Sequence, residues 1–71
     1  MMRVLIIEDE IKTAEYLQQG LSECGYIVDY ALTGADGLHL FRTQEYELVL
    51  LDVNLPEKDG WSILQEIRLG S

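Results

Sequence analysis

The sequence predicts an α/β domain built on a small parallel sheet. Three observations carry this. Apolar runs at Val4–Ile7, Tyr26–Ala31 and Glu47–Asp52 have the length and residue types of strands. The segments between them repeat their apolar residues at helical spacing. The connections are short, and a β-α-β-α-β-α order with short connections gives parallel strands joined by right-handed crossovers.

The first strand, "RVLIIEDE", is continuously apolar from Val4 to Ile7 and mostly β-branched, the pattern of a strand buried on both faces, and it stops at acid. Ile11, Ala14, Leu17, Leu21 and Cys24 then recur every three or four positions, which predicts a helix with Cys24 as a small core residue. Gly25 is its expected C-terminal stop, and Gly20 weakens its interior by about 1 kcal/mol relative to Ala. The second strand carries Asp29, so one face or end of it is expected to be wet. Thr33 followed by Asp36 resembles a capping box and opens a helix near Gly34, with Ala35, Leu38 and Phe41 on its apolar face. The third strand, "ELVLLD", runs into Pro56, and Asp59 is placed to cap a third helix bearing Trp61, Leu64 and Ile67.

Seventy-one residues hold one small domain, and a chain of this size buries only roughly 60% of its unfolded surface. Thirteen acidic against five basic residues leave a net charge of -8, which argues against direct contact with nucleic acid and suits a cation or a basic partner. One Cys and one His cannot build a zinc site, and the lone Cys24 fits a reducing cytoplasm. The first ten residues are too poor in apolar length for a signal peptide, and no stretch is long enough to span a membrane.

The chemistry lies at the strand ends. In an open parallel sheet ligands bind beyond the carboxyl ends of the strands. Strand one ends at Glu8-Asp9 and strand three at Asp52. If the two strands are neighbours, three carboxylates converge and raise one another's pKa values. Mg2+ takes oxygen ligands, and one or two carboxylates with phosphate oxygens commonly hold it. The backbone carbonyl of Asn54 is a further candidate ligand as the chain turns. A carboxylate fixed at the end of a rigid strand is also a candidate nucleophile toward a phosphoryl group. Singly, each acid reads as a solvated strand end; the set of three with the following loop favours a site. Glu10 and Asp59 read as helix-start charges, His39 as an exposed helix residue, Tyr16 and Tyr46 as residues without assignable function, and Gly34–Gly37 as lacking the spacing of a phosphate cradle.

"LIIEDE" and "LVLLDVNLPEKDGW", two βα passes apart, resemble the receiver domain of two-component response regulators. "KTAEYLQQGLSECGY" and "LDVNLPEKDGW" are similar to the winged-helix (OmpR/PhoB-like) class, particularly regulators of heavy-metal or copper resistance. The resemblance implies a flavodoxin-like (CheY-like) βαβαβα half with strand order 2-1-3. It implies that Asp52 accepts a phosphoryl group from a sensor histidine kinase, that Asp9 and Asp52 bind Mg2+ with Glu8 beside them or through water, and that Asn54 gives its main-chain carbonyl. It also implies that Pro56 and Gly60 shape the covering loop, and that DNA is bound by a separate C-terminal domain rather than by this segment.

Only the first three of the family's five βα units are represented, so residues 1–71 read as an incomplete receiver domain. No residue matches the family's Thr or Ser after strand four or its Lys after strand five, and switching by this polypeptide is expected to be impaired. The free edge of strand three is expected to pair with a second copy, antiparallel about a two-fold axis. Two other functions stand beside this one. The chain could be a self-associating βα fragment without biochemical activity. It could also be a haloacid-dehalogenase-type phosphatase, ranked low because Asn54 stands where that class wants Asp.

Overall fold

A computed structural model describes residues 2–52 and 60–70, with the backbone alone for residues 60–63 and Gly70. The elements are β1 (Arg3–Ile7), α1 (Ile11–Glu23), β2 (Ile27–Ala31), α2 (Gly34–Thr43), β3 (Leu48–Leu51) and α3 (Gly60–Gly70). The three strands form one parallel sheet in the order β2-β1-β3. Both the alternation and the order are those expected, with β2 and β3 slightly shorter than their apolar runs.

β1 lies between β2 and β3, and its side chains are apolar on both faces, which a strand covered on both sides can bury. Val4, Leu5 and Ile7 have no exposed surface and Ile6 has 1%. Burying each such side chain contributes roughly 1.5–3 kcal/mol before entropy is counted. The pleat sends them to two cores. Val4 and Ile6 pack with Val28, Leu17, Leu21 and Leu50 on the α1 face. Leu5 and Ile7 pack with Leu38, Phe41, Val49, Leu51, Tyr46 and Ile67 on the face of α2 and α3.

The helix ends follow local chemistry. α1 closes in a Schellman arrangement: Tyr26 N–H donates to the Leu21 carbonyl and Gly25 N–H to that of Ser22. This requires Gly25 at φ +95°, the left-handed region that glycine enters without penalty. At α2, Thr33 Oγ1 accepts the Asp36 N–H at 3.1 Å.

Three expectations fail. Ile11, expected on the apolar face of α1, is the first residue of that helix and is exposed. Cys24 is exposed rather than part of the core. It is the C-cap of α1, where the backbone has already left helical geometry, so its side chain no longer follows the buried stripe. Ala35 is also exposed, because α2 faces the sheet through Gly34, Gly37 and Leu38 instead. A Cβ on Gly37 would lie 2.5 Å from Ile7 Cδ1 and 2.7 Å from Ile7 Cγ1, so α2 approaches β1 more closely than any side chain at 37 permits.

Among the described residues β3 pairs with β1 alone. Leu48 is 44% exposed and the rest of the strand is half-buried.

Candidate functional site

Ile7 stands beside Leu51 in the parallel register. The ladder continues one step further: the Asp52 N–H donates to the Ile7 carbonyl at 3.0 Å, and the Glu8 N–H donates across to the Ala31 carbonyl of β2 at 3.0 Å. Glu8 and Asp52 therefore leave the sheet side by side from hydrogen-bonded backbone, and Asp9 follows in the turn before α1. Each of the three acids offers a carboxylate oxygen, and these oxygens lie within 4.8 Å of one another. Glu8 and Asp52 are half-buried and Asp9 is exposed.

The electrostatics follow from this crowding. The Glu8 carboxyl is raised above its ordinary range, first by desolvation and then by side-chain hydrogen bonding with Asp9 and Asp52 and the negative charge of Asp52. The Glu10 N–H, donating to Glu8 Oε1 at 3.1 Å, offsets part of this. The set offers hard oxygen ligands only, and its like charges gain by sharing a cation. That donor set suits a hard divalent cation and not a soft metal.

Asn54, Pro56 and Asp59 lie outside the described residues, as does the side chain of Trp61. Gly60 is the first residue of α3. His39 is exposed on α2.

One group at the opposite end of the sheet was not singled out from the sequence. Tyr46 Oη donates to Asp29 Oδ2 at 2.7 Å, and Arg3 Nε lies 3.9 Å from the same oxygen. The Arg3 N–H donates to Glu47 Oε2 at 2.6 Å, the Glu47 N–H returns a bond to the Arg3 carbonyl at 2.9 Å, and Arg3 Nη1 donates to Gln44 Oε1 at 2.5 Å. The signal was Asp29 itself: an acid inside an apolar strand needs partners, though the sequence does not say which.

A family model, the response regulator receiver domain, matches residues 4–71. The chain is similar to the probable transcriptional regulatory protein SilR of Salmonella typhimurium, at 52% identity over 67 residues, which cover 94% of this chain and 29% of that protein. It thus spans less than a third of that relative's length. Among solved structures it is similar to the response regulator TrrA of Thermotoga maritima in complex with Mg(2+)-BeF, at a TM-score of 0.95 and 37% identity, covering 100% of this chain and 62% of that one. TrrA in complex with the histidine kinase ThkA matches at a TM-score of 0.94 and 37% identity, covering 100% of this chain and 61% of that one. These likenesses carry the expected CheY-like arrangement of the sheet and helices.

Proposed function

This chain belongs to the response regulator receiver domain family, and from that premise we propose that it is the phospho-acceptor portion of a two-component response regulator, with Asp52 as the acceptor. The observation that supports this is the meeting of Glu8, Asp9 and Asp52 within 4.8 Å at the carboxyl ends of β1 and β3. An Asp52 carboxylate oxygen attacks the phosphorus of a phosphohistidine on the sensor kinase. The P–N bond breaks, the imidazole nitrogen keeps the electron pair and takes up a proton, and Asp52 becomes an acyl phosphate. The ladder bond from the Asp52 N–H to Ile7 holds the nucleophile's backbone in place for this.

Glu8, Asp9 and Asp52, with the carbonyl of Asn54, would hold Mg2+, which when bound offsets the charge of the phosphoryl oxygens. The Mg(2+)-BeF complex of TrrA supports the cation, and its complex with ThkA supports a histidine kinase as partner. SilR, as a probable transcriptional regulatory protein, supports a role in controlling transcription; the winged-helix class of metal-resistance type, acting on DNA through a separate C-terminal domain in the parent protein, is part of the same proposal. In this reading residues 1–71 are the first three βα units of the receiver, work in the cytoplasm and act as a phospho-acceptor without turnover of their own. Among the described residues no helix is long and apolar enough to cross a membrane.

Phosphoryl transfer from a labelled kinase or from acetyl phosphate tests the reading. The label should require Mg2+, be lost in Asp52→Asn and be released by mild alkali; transfer that survives Asp52→Asn refutes it. A polypeptide of these 71 residues alone is expected to show no structural change with beryllofluoride. A second property rests on the outer edge of β3, where Leu48 is 44% exposed. Taken alone, the polypeptide pairs that edge with a second copy, and a monomer in analytical ultracentrifugation would contradict this.

A further inference from the structure

We infer that Tyr46, Asp29, Arg3 and Glu47 form a clamp that sets the register of β3 and thereby positions Asp52 against Glu8 and Asp9; the consequence for the acids rests on the proposed phospho-acceptor site. The need for such a device is visible in β3 itself. Its residues are Leu48, Val49, Leu50 and Leu51, apolar on both faces. Register is specified strongly where a strand alternates apolar with polar, because a slip of one residue then exposes the apolar set. At the interior positions of β3 a one-residue slip replaces a leucine with a valine or another leucine, and only at an end does it bring in Glu47 or Asp52, so hydrophobic burial distinguishes the registers less sharply than in an alternating strand.

The cost of a slip falls on the carboxylates. One residue along a strand is about 3.3 Å, and it turns the side chain to the opposite face. Oxygens now within 4.8 Å of one another would separate, and Asp52 would leave the group.

The clamp supplies what the strand lacks. It joins the approach to β3 to both other strands at the end of the sheet away from the acids. Arg3 of β1 and Glu47 exchange two bonds, at 2.6 and 2.9 Å. Tyr46 packs on the cluster of Leu5, Ile7 and Leu38 and reaches past β1 to Asp29 of β2, at 2.7 Å. Sliding β3 by one residue would break the pairing of Glu47 with Arg3 and carry the phenol out of reach of Asp29. Burial and then the Asp29 carboxylate push the Tyr46 phenol up to about 12, so it keeps its proton and remains a donor at every ordinary pH. Tyr46, Asp29, Arg3 and Glu47 are positioning residues: they act on Asp52 through the strand between them.

Amide hydrogen exchange by NMR on the 71-residue chain tests the clamp. In Tyr46→Phe combined with Glu47→Ala, the Asp52 N–H, which bonds across β1 and β3, is expected to exchange about tenfold faster, the change one ordinary hydrogen bond makes in an opening equilibrium. The Glu8 N–H, which bonds across β1 and β2, is expected to change little. Tyr46→Phe alone keeps the ring in the core and should give the same pattern more weakly. Asp29→Asn, which keeps an oxygen for the phenol, should restore most of the protection that Asp29→Ala loses. Leu17→Ala loosens the opposite face with the clamp intact and should speed both amides together. The clamp is overturned if Asp52 stays protected in the double variant, or if Asp52 and Glu8 accelerate in proportion, as a general loss of stability would make them. Paramagnetic broadening by Mn2+ at Glu8, Asp9 and Asp52 separates the two readings. A parent chain that binds no Mn2+ sinks the cation site, while the exchange pattern still decides the clamp.

Discussion

Replacing Gly37 by Ala pits two effects of opposite sign against each other, and the structure says which wins. Helix propensity alone favours Ala over Gly by about 0.8–1.0 kcal/mol in a helix interior. Against it, the new Cβ would lie 2.5 Å from Ile7 Cδ1 and 2.7 Å from Ile7 Cγ1. Ile7 has no exposed surface and a stiff β-branched stem, so neither atom can step aside into solvent. Overpacking of this kind costs about 1–3 kcal/mol, and two contacts under 3 Å place Gly37 at the upper end. The net expectation is a loss of roughly 1–2 kcal/mol, or a fall of about 5–15 °C in melting temperature for a domain of this size. Gly20 is the internal control. It lies in α1, and a Cβ added there would meet nothing within 4 Å, so Gly20→Ala should stabilise by about 0.5–1 kcal/mol. Ile7→Val removes Cδ1, the nearer of the two atoms, at a cost of about 0.5–1.5 kcal/mol alone. Combined with Gly37→Ala it should be less damaging than the sum of the two by at least about 0.5 kcal/mol. Urea denaturation followed by far-ultraviolet circular dichroism measures all four variants. A Gly37→Ala chain as stable as its parent, or strict additivity with Ile7→Val, would refute the close approach of α2 to β1.

Three further outcomes are expected. Because the folded state raises the Glu8 carboxyl above 4.5, by desolvation first, it holds that proton more tightly than the unfolded chain. The resulting stability is fully present below the unfolded value and is lost as pH rises through the folded one. Without divalent cations, the melting temperature of the parent relative to Glu8→Gln should therefore fall as pH is raised from about 4 toward neutrality; a difference that stays constant or grows contradicts the crowding of the acids. Mg2+ at about 100 times its dissociation constant should stabilise the chain by about 2.7 kcal/mol, reversibly with chelator. Asp9→Asn and Asp52→Asn should abolish that gain, and an equal gain in both variants would place the ion elsewhere. Thr33→Ala, which removes the oxygen that accepts the Asp36 N–H, should cost about 1 kcal/mol in the same denaturation assay; no loss would mean the cap contributes nothing.

Short-range pattern alone determined the element order, the Gly25 stop, the Thr33 cap and the three acids at the strand ends, because each depends on residues a few positions apart in the chain. β1 was legible as a strand buried on both faces for the same reason: four consecutive apolar residues can be buried only between two layers, while its place between β2 and β3 came from the resemblance. Tertiary structure decided the rest. The approach of α2 through Gly34 and Gly37, and with it the exposure of Ala35, depends on how near β1 lies to that helix, a distance that helical periodicity does not contain. Cys24 continued the apolar spacing of α1 yet is exposed, because the helix ends at it and periodicity has no meaning beyond the last turn. Tyr46 and Asp29, seventeen residues apart, meet only after β1 has been placed between their strands. The same holds for Asp52, forty-four residues after Glu8 in the chain and beside it in space through the ladder bond to Ile7. Residue type named the acids as candidates, and the parallel pairing of β1 with β3 brought their oxygens within 4.8 Å.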